Sequence, residues 1–290
     1  MKKGIIYALI TAVLFVTLEP VSKLISAQVN PYAITFWRFM IGSFILIVPA
    51  VKKIKKDNIQ LNLKDLGIMI LLGILFICIS MVLLQVGVQK ADTPALIAIV
   101  FSSNSVFTIL FAAVLVKEKL NKQKLCALIL GIAGVLICAD FSSGTNLLSV
   151  VLGVLAALTF SLYTVLGQKY MKKTGGIIQT SIVFLTGSIV LLIVLLASGA
   201  DIIPDFTAKS IGILLYLGLL VTGVGYACYF LAIEKGGAIM ASLAFFIKPV
   251  LTPFVTFFVN GIVPQPKVFA AVVCIIGASY FATYKGKFKK

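Results

Sequence analysis

The 290 residues are 61% hydrophobic and only 12% charged, with a mean hydropathy of +1.14, far from the roughly half-apolar, quarter-charged balance of a water-soluble domain. The formal net charge of +16 does not mark a nucleic-acid binder, because the lysines fall in short segments between apolar runs and no basic face alternates with aromatics. The chain reads as an all-α integral membrane protein.

A helix needs about 20 mostly apolar residues to cross roughly 30 Å of hydrocarbon. Ten runs of that order occur, bounded by charge, Pro or Gly: 4–26, 31–51, 66–89, 93–116, 121–139, 147–168, 177–199, 210–233, 237–259 and 266–284. The first ends without a small-residue cleavage pattern and is expected to remain as a helix. Within it, LFVTLEPVSKLI (14–25) carries Glu19, the only carboxylate well inside any run, followed by Pro20. Lys23 stands four residues on and could pair with Glu19 on one helix face. The second run opens with FWRFMIG (36–42), which sets Arg38 roughly 10 Å in from the membrane surface at 1.5 Å per residue. After it, Lys52, Lys53, Lys55 and Lys56 form a cluster suited to anionic lipid headgroups or to topology control alone.

The fourth run carries FSSNSVFT (101–108), in which Ser102, Asn104, Ser105 and Thr108 can donate and accept without the cost of charge. They suit either substrate contact or the binding of helix to helix. Tyr163 in the sixth run, and Tyr226 and Tyr229 beside Gly223 and Gly225 in the eighth, suit a cavity wall or an interfacial anchor. The ninth run contains FFIKPVLTPF (245–254), with Lys248 near mid-depth, where a cation on an isolated helix costs about 2.5–3.5 kcal/mol. It must face a polar hollow or a counter-charge, and Glu19 is the obvious partner. Pro249 and Pro253 lack the donor that would bond the carbonyl four residues back, so they read, with Pro20, as helix breaks that free carbonyls for a ligand or water.

Positively charged loops stay cytoplasmic. Nineteen lysines fall on the side shared by both termini and three, Lys90, Lys209 and Lys267, on the other, while Lys23, Arg38 and Lys248 lie within runs. Both termini are therefore expected in the cytoplasm. Five cysteines without a C-x-x-C, and no histidine, give no metal site and no disulfide framework. No nucleotide-binding signature is present, so no cofactor and no ATP-driven step is expected.

Setting residue i beside residue i+145 places Lys64, Gly67, Ile68, Gly73, Leu75 and Lys90 on Lys209, Gly212, Ile213, Gly218, Leu220 and Lys235. Two five-span halves, 1–140 and 147–290, follow, and an odd number of spans forces the second to enter the membrane from the opposite face. Such inverted repeats are common in transporters. Ten spans in two halves, FWRFMIG, the Glu in VKEKLNKQ (116–123) before a Gly-rich LGIAGVLI (130–137), and the proline-bearing ninth span together resemble the EamA-type branch of the drug/metabolite transporter superfamily. The chain departs from that pattern with Lys117-Glu118 in place of Gly-Glu and with NGIVPQP (260–266), which has no acid, at the matching place in the second half.

The resemblance implies a substrate cavity between the halves, and Arg38 matches the family's FxR pattern, where a structural role is the alternative. The expectation is a ten-span, non-enzymatic secondary transporter of the plasma membrane, exporting small metabolites, amino acids or amphipathic compounds by alternating access. The cavity is expected to be formed by Lys248, Glu19, Ser102, Asn104, Ser105, Tyr163, Tyr226 and Tyr229, with Glu19, Lys248 and Arg38 as the coupling or charge-paired groups. Its partners are a small-molecule substrate, membrane lipid and protons as the coupling ion, with no nucleic acid, and it is a monomer or homodimer. The alternatives are a flippase of lipid-linked substrates and an accessory protein of lipid headgroup modification.

Overall fold

The computed structural model describes residues 2–115, 122–138, 144–202, 207–236 and 238–283. Among these residues the chain is helical throughout, with no strand. The helices are α1 (Lys2–Val16 and, past a turn at Thr17, Leu18–Lys23), α2 (Pro31–Asp57) and α3 (Leu63–Gly73, a π-helical stretch Ile74–Met81, then Val82–Lys90). Next come α4 (Pro94–Ser102 and, past a turn at Ser103, Asn104–Leu115), α5 (Lys122–Cys138), α6 (Gly144–Thr174) and α7 (Gly176–Ala197). Last are α8 (Ala208–Leu215, a π-helical stretch Tyr216–Val224, then Gly225–Gly236), α9 (Ala238–Asn260) and α10 (Pro266–Thr283). Seven of them, α1 to α4 and α6 to α8, are long and apolar enough to cross a membrane, while α5, α9 and α10 carry the shorter apolar stretches Leu125–Ile137, Ile247–Asn260 and Pro266–Ala278. The protein is thus a multi-pass membrane protein.

Helix ends are set by local chemistry. Asn30 caps α2 by accepting from the Tyr32 amide, with Pro31 in the first turn where no donor is needed. Asn62 with Asp65 and Thr207 with Ser210 form reciprocal capping pairs at the starts of α3 and α8, and Asn58 closes α2 in the left-handed region. Pro20 removes the amide that would bond to Val16, and α1 turns at Thr17. At Ser103 the Oγ donates to Val100 O and Asn104 Nδ2 to Phe101 O, local bonds that compete with the helix ladder.

α1 packs on α8 and α9, α6 on α3 and α4, α2 on α7 and α8, α3 on α7, α4 on α9, and α5 on α10. Each contact persists when helices five apart in chain order are exchanged. Two crossings depend on glycine: a Cβ on Gly73 would lie 2.9 Å from Gly187 N, and one on Gly218 would lie 2.6 Å from Ile41 Cβ, next to Gly42. The spacing of 145 residues relates Gly73 to Gly218 and Gly42 to Gly187, and each of α3 and α8 is π-helical at or beside its glycine.

The middle of the bundle is filled by rings. Phe76 stacks on Tyr163 at 4.5 Å, Phe39 meets Phe184 edge-on at 4.9 Å, and Phe15 lies 4.8 Å from Tyr226. The rings leave little of the expected substrate cavity open in this conformation.

Candidate functional site

Glu19 and Lys248 meet in the centre of the bundle, with Lys248 Nζ donating to Glu19 Oε1 at 2.6 Å and the side chains 2% and 0% exposed for Lys and Glu respectively. The pair joins α1 to α9. The intrahelical alternative fails because Lys23 turns away: its ammonium donates to the carbonyls of Val88, Gln89 and Ala91 at 3.1, 2.9 and 2.6 Å, capping the end of α3. Lys248 Nζ also lies 5.4 Å from the ring centre of Phe101, a cation–π contact in a dry site.

Arg38, 1% exposed, is the third charge. One terminal nitrogen donates to Met81 Sδ at 3.4 Å, a weak acceptor, and the guanidinium carbon lies 4.6 Å from the centre of the Phe39 ring. Its Nε finds no partner among the described residues, and neither do Glu19 Oε2 and Thr222 Oγ1. Glu19 and the Tyr226 hydroxyl are both near enough to act electrostatically on Arg38. Beside the pair lies a void of about 10 Å³, room for about one water. Arg38, Lys248, Thr222 and Tyr226 border it together with Phe15, Phe101 and Phe245.

The other expected site residues stand back from this void. Ser102 Oγ, Asn104 Nδ2 and Ser105 Oγ each donate to a carbonyl of their own helix, those of Ala98, Phe101 and Ser102, so the polar patch satisfies the turn in α4. Ser161 on α6 closes the same turn by donating to Asn104 O at 2.6 Å. Tyr163 and Tyr229 belong to the surrounding aromatic packing. The break expected at Pro249 and Pro253 does not occur: α9 runs unbroken from Ala238 to Asn260, and Thr252 Oγ1 donates to Lys248 O at 2.7 Å. Glu118 and the other residues of 116–121 lie outside the described residues, as does the side chain of Glu234.

Sequence reasoning missed Phe15, Phe101, Phe245 and Met81 as neighbours of the charges. Helical spacing held a signal for two of them, since Phe15 precedes Glu19 by four residues and Phe245 precedes Lys248 by three. A recess of about 80 Å³ lies further along α9, bordered by Pro253 and Thr256 and by Asp92, Thr93 and Pro264. It holds none of the paired charges and reads as part of one mouth of the bundle.

A family profile described as the EamA-like transporter family matches this chain twice, over residues 2–139 and 147–284. The chain belongs to the EamA-like transporter family. Among its relatives, an "Uncharacterized transporter" of Clostridium kluyveri is 36% identical over 287 residues, 95% of this chain and 91% of that one. The "Uncharacterized transporter YdfC" of Bacillus subtilis is 26% identical over 88% of this chain and 83% of its own. A solved chain described as "Crystal structure of protein" superimposes with a TM-score of 0.68 at 15% identity, covering 98% of this chain and 97% of its own, a likeness of fold. This EamA-like protein is thus a member of a membrane transporter family, and in this chain Glu19, Lys248 and Arg38 are buried between the helices.

Proposed function

We propose that the chain is a secondary active transporter of ten membrane-crossing helices, arranged as two inverted halves over 1–140 and 147–290. It carries a small molecule, outward from the cell, past the Glu19–Lys248 pair by alternating access. The plasma membrane, cytoplasmic termini, and a monomer or homodimer belong to the same reading. The observation that carries it is the pair itself: the one carboxylate well inside any run, on α1, holds the mid-depth lysine on α9 at 2.6 Å, with no exposure to speak of and a void beside it. Two features support the halves: the twofold match of the family profile, and the glycine crossings repeated at 145 residues.

An ion pair that straddles two halves has to part when they rock against one another. Each charge then needs a substitute, because an unpaired charge inside a bilayer is costly. A proton on Glu19 is one substitute, and a polar group of the substrate that accepts from Lys248 is the other. Among the described residues, Lys248 bonds to Glu19 and Arg38 and Tyr226 are near enough to interact with it electrostatically, so a proton taken up there is felt by both cations. Binding of a proton and binding of the substrate are thereby linked at one centre.

The test is flux in proteoliposomes loaded with amino acids, nucleosides, organic anions or cationic drugs, with and without an imposed proton gradient. The wild type is expected to move at least one class. A Glu19→Gln, Lys248→Met double variant should reach the membrane folded and move none, and Glu19→Gln alone should keep exchange and lose its response to the gradient. Wild-type flux in the double variant overturns the proposal.

A further inference from the structure

We infer that the ligand of this centre is a small organic monoanion with an apolar body. The inference rests on the transport reading of the Glu19–Lys248 site and adds to it the charge of the cargo. Among the described residues, the charged side chains buried within the spans are Glu19, Arg38 and Lys248; the remaining buried one, Asp65, caps the start of α3. With Glu19 and Lys248 paired, the centre holds one positive charge in excess, and that charge is on Arg38.

Arg38 is poorly served where it stands. A thioether takes one of its donors, and Nε has no partner among the described residues. A guanidinium presents a planar fork that matches the two oxygens of a carboxylate or another oxyanion. Thr222 Oγ1, also without a partner and fully buried, borders the same void and can donate to the same oxygens. Glu19 Oε2, without a partner among the described residues, repels an oxyanion, which places the anionic group on the Arg38 and Thr222 side of the void.

Each other charge class meets a specific obstacle. A cation meets excess like charge, and a neutral ligand leaves Arg38 as it is. A zwitterion adds no net charge, and its ammonium competes with Lys248 for the one carboxylate. Phe15, Phe101, Tyr226 and Phe245 supply ring faces for an apolar body once they part to admit it, since the closed void holds about one water.

A series matched in shape and different in charge tests this: 3-phenylpropionate, phenylalanine, phenethylamine and 3-phenylpropanol. Binding to the purified full chain in detergent, read by radioligand competition and by thermal stabilisation, avoids passive leakage of the protonated acid through vesicles. We expect 3-phenylpropionate to bind at least tenfold tighter than the other three. Arg38→Gln should abolish that preference, and Arg38→Lys should restore part of it. If neither variant folds, the wild-type series decides alone. A tighter grip on any of the other three, or equal behaviour of all four, including none, overturns the inference. The transport reading is tested apart from it: a preferred zwitterion or cation whose flux still requires Glu19 and Lys248 leaves that reading standing, whereas bound 3-phenylpropionate with wild-type flux in the double variant does not.

Discussion

Replacing Lys248 by Met isolates the energetic worth of the central pair. The substitution keeps an unbranched chain of similar length and removes the charge, stranding the Glu19 carboxylate, whose side chain is 0% exposed. At 2.6 Å the gross attraction is about 6 kcal/mol for an effective dielectric constant near 20, much of it offset by the cost of drying both ions. Truncating one partner of such a pair typically costs about 3–5 kcal/mol because the other is left buried and uncompensated. Arg38 is close enough to Glu19 to take up part of the load, which sets the expectation at the lower end, about 3 kcal/mol. Adding Glu19→Gln should recover most of it, since a buried pair exchanged for uncharged groups of similar volume is often nearly neutral. Reversible unfolding in a bilayer-like micelle, run as a double-mutant cycle, should then give a coupling of at least about 2 kcal/mol. Additive single variants, or a Lys248→Met protein within about 0.5 kcal/mol of wild type, would refute the view that the two charges sustain one another.

Three further outcomes can be measured by the same unfolding assay. Gly187→Ala puts a Cβ 2.7 Å from Gly73 O and 2.9 Å from Ile77 Cδ1, so α3 and α7 must separate at a cost of about 1–3 kcal/mol; Gly67→Ala, with nothing within 4 Å, should cost nothing. Ser161→Ala removes the 2.6 Å bond to Asn104 O that closes the turn in α4, worth about 1 kcal/mol. Lys23→Met uncaps three carbonyls at the end of α3 and should cost about 1.5–3 kcal/mol, with Lys23→Arg restoring a share.

Hydrocarbon made the central charges legible. Where an unpaired ion is costly, one carboxylate well inside any span and one mid-depth lysine have few other ways to be stabilised, so their meeting could be read without coordinates. The glycine spacing was visible too, but its use was not: only the packed helices show Gly73 against Gly187 and Gly218 against Ile41. The prolines misled for a related reason. A proline always removes a bond, but whether the helix parts depends on what its neighbours supply, and α9 stays whole through Pro249 and Pro253 while α1 turns at Thr17 ahead of Pro20. Residues 102–105 left two uses open, because a hydroxyl or amide in a dry span can serve its own backbone as readily as a ligand, and here all four donate to backbone carbonyls. The two π-helical stretches left no mark in the sequence beyond the glycines beside them.

The distribution of contacts along α1 decides where a ligand has leverage. Its first part is tied to α8, by Thr11 Oγ1 to Gly225 O and by the hydroxyls of Thr17 and Tyr216 at 2.7 Å. The short part beyond the turn, Leu18–Lys23, is tied elsewhere: Glu19 to Lys248, Lys23 to the end of α3, and Pro20 O to Asn260 Nδ2 at 3.1 Å. The turn at Thr17 thus separates a part that packs on α8 and α9 and is hydrogen-bonded to α8 from a short part bonded to α3 and α9. A ligand shifts the balance between two arrangements only by interacting differently with each. Backbone caps such as those at Lys23 and Asn260 offer no such difference to a small solute, because their acceptors are taken up within the protein. In the proposed cycle the Glu19–Lys248 bond does, since a proton on one side or an accepting group of the ligand on the other replaces the partner that motion removes. In the proposed transport cycle, control over the short part of α1 falls to the two side chains whose charges a solute can offset.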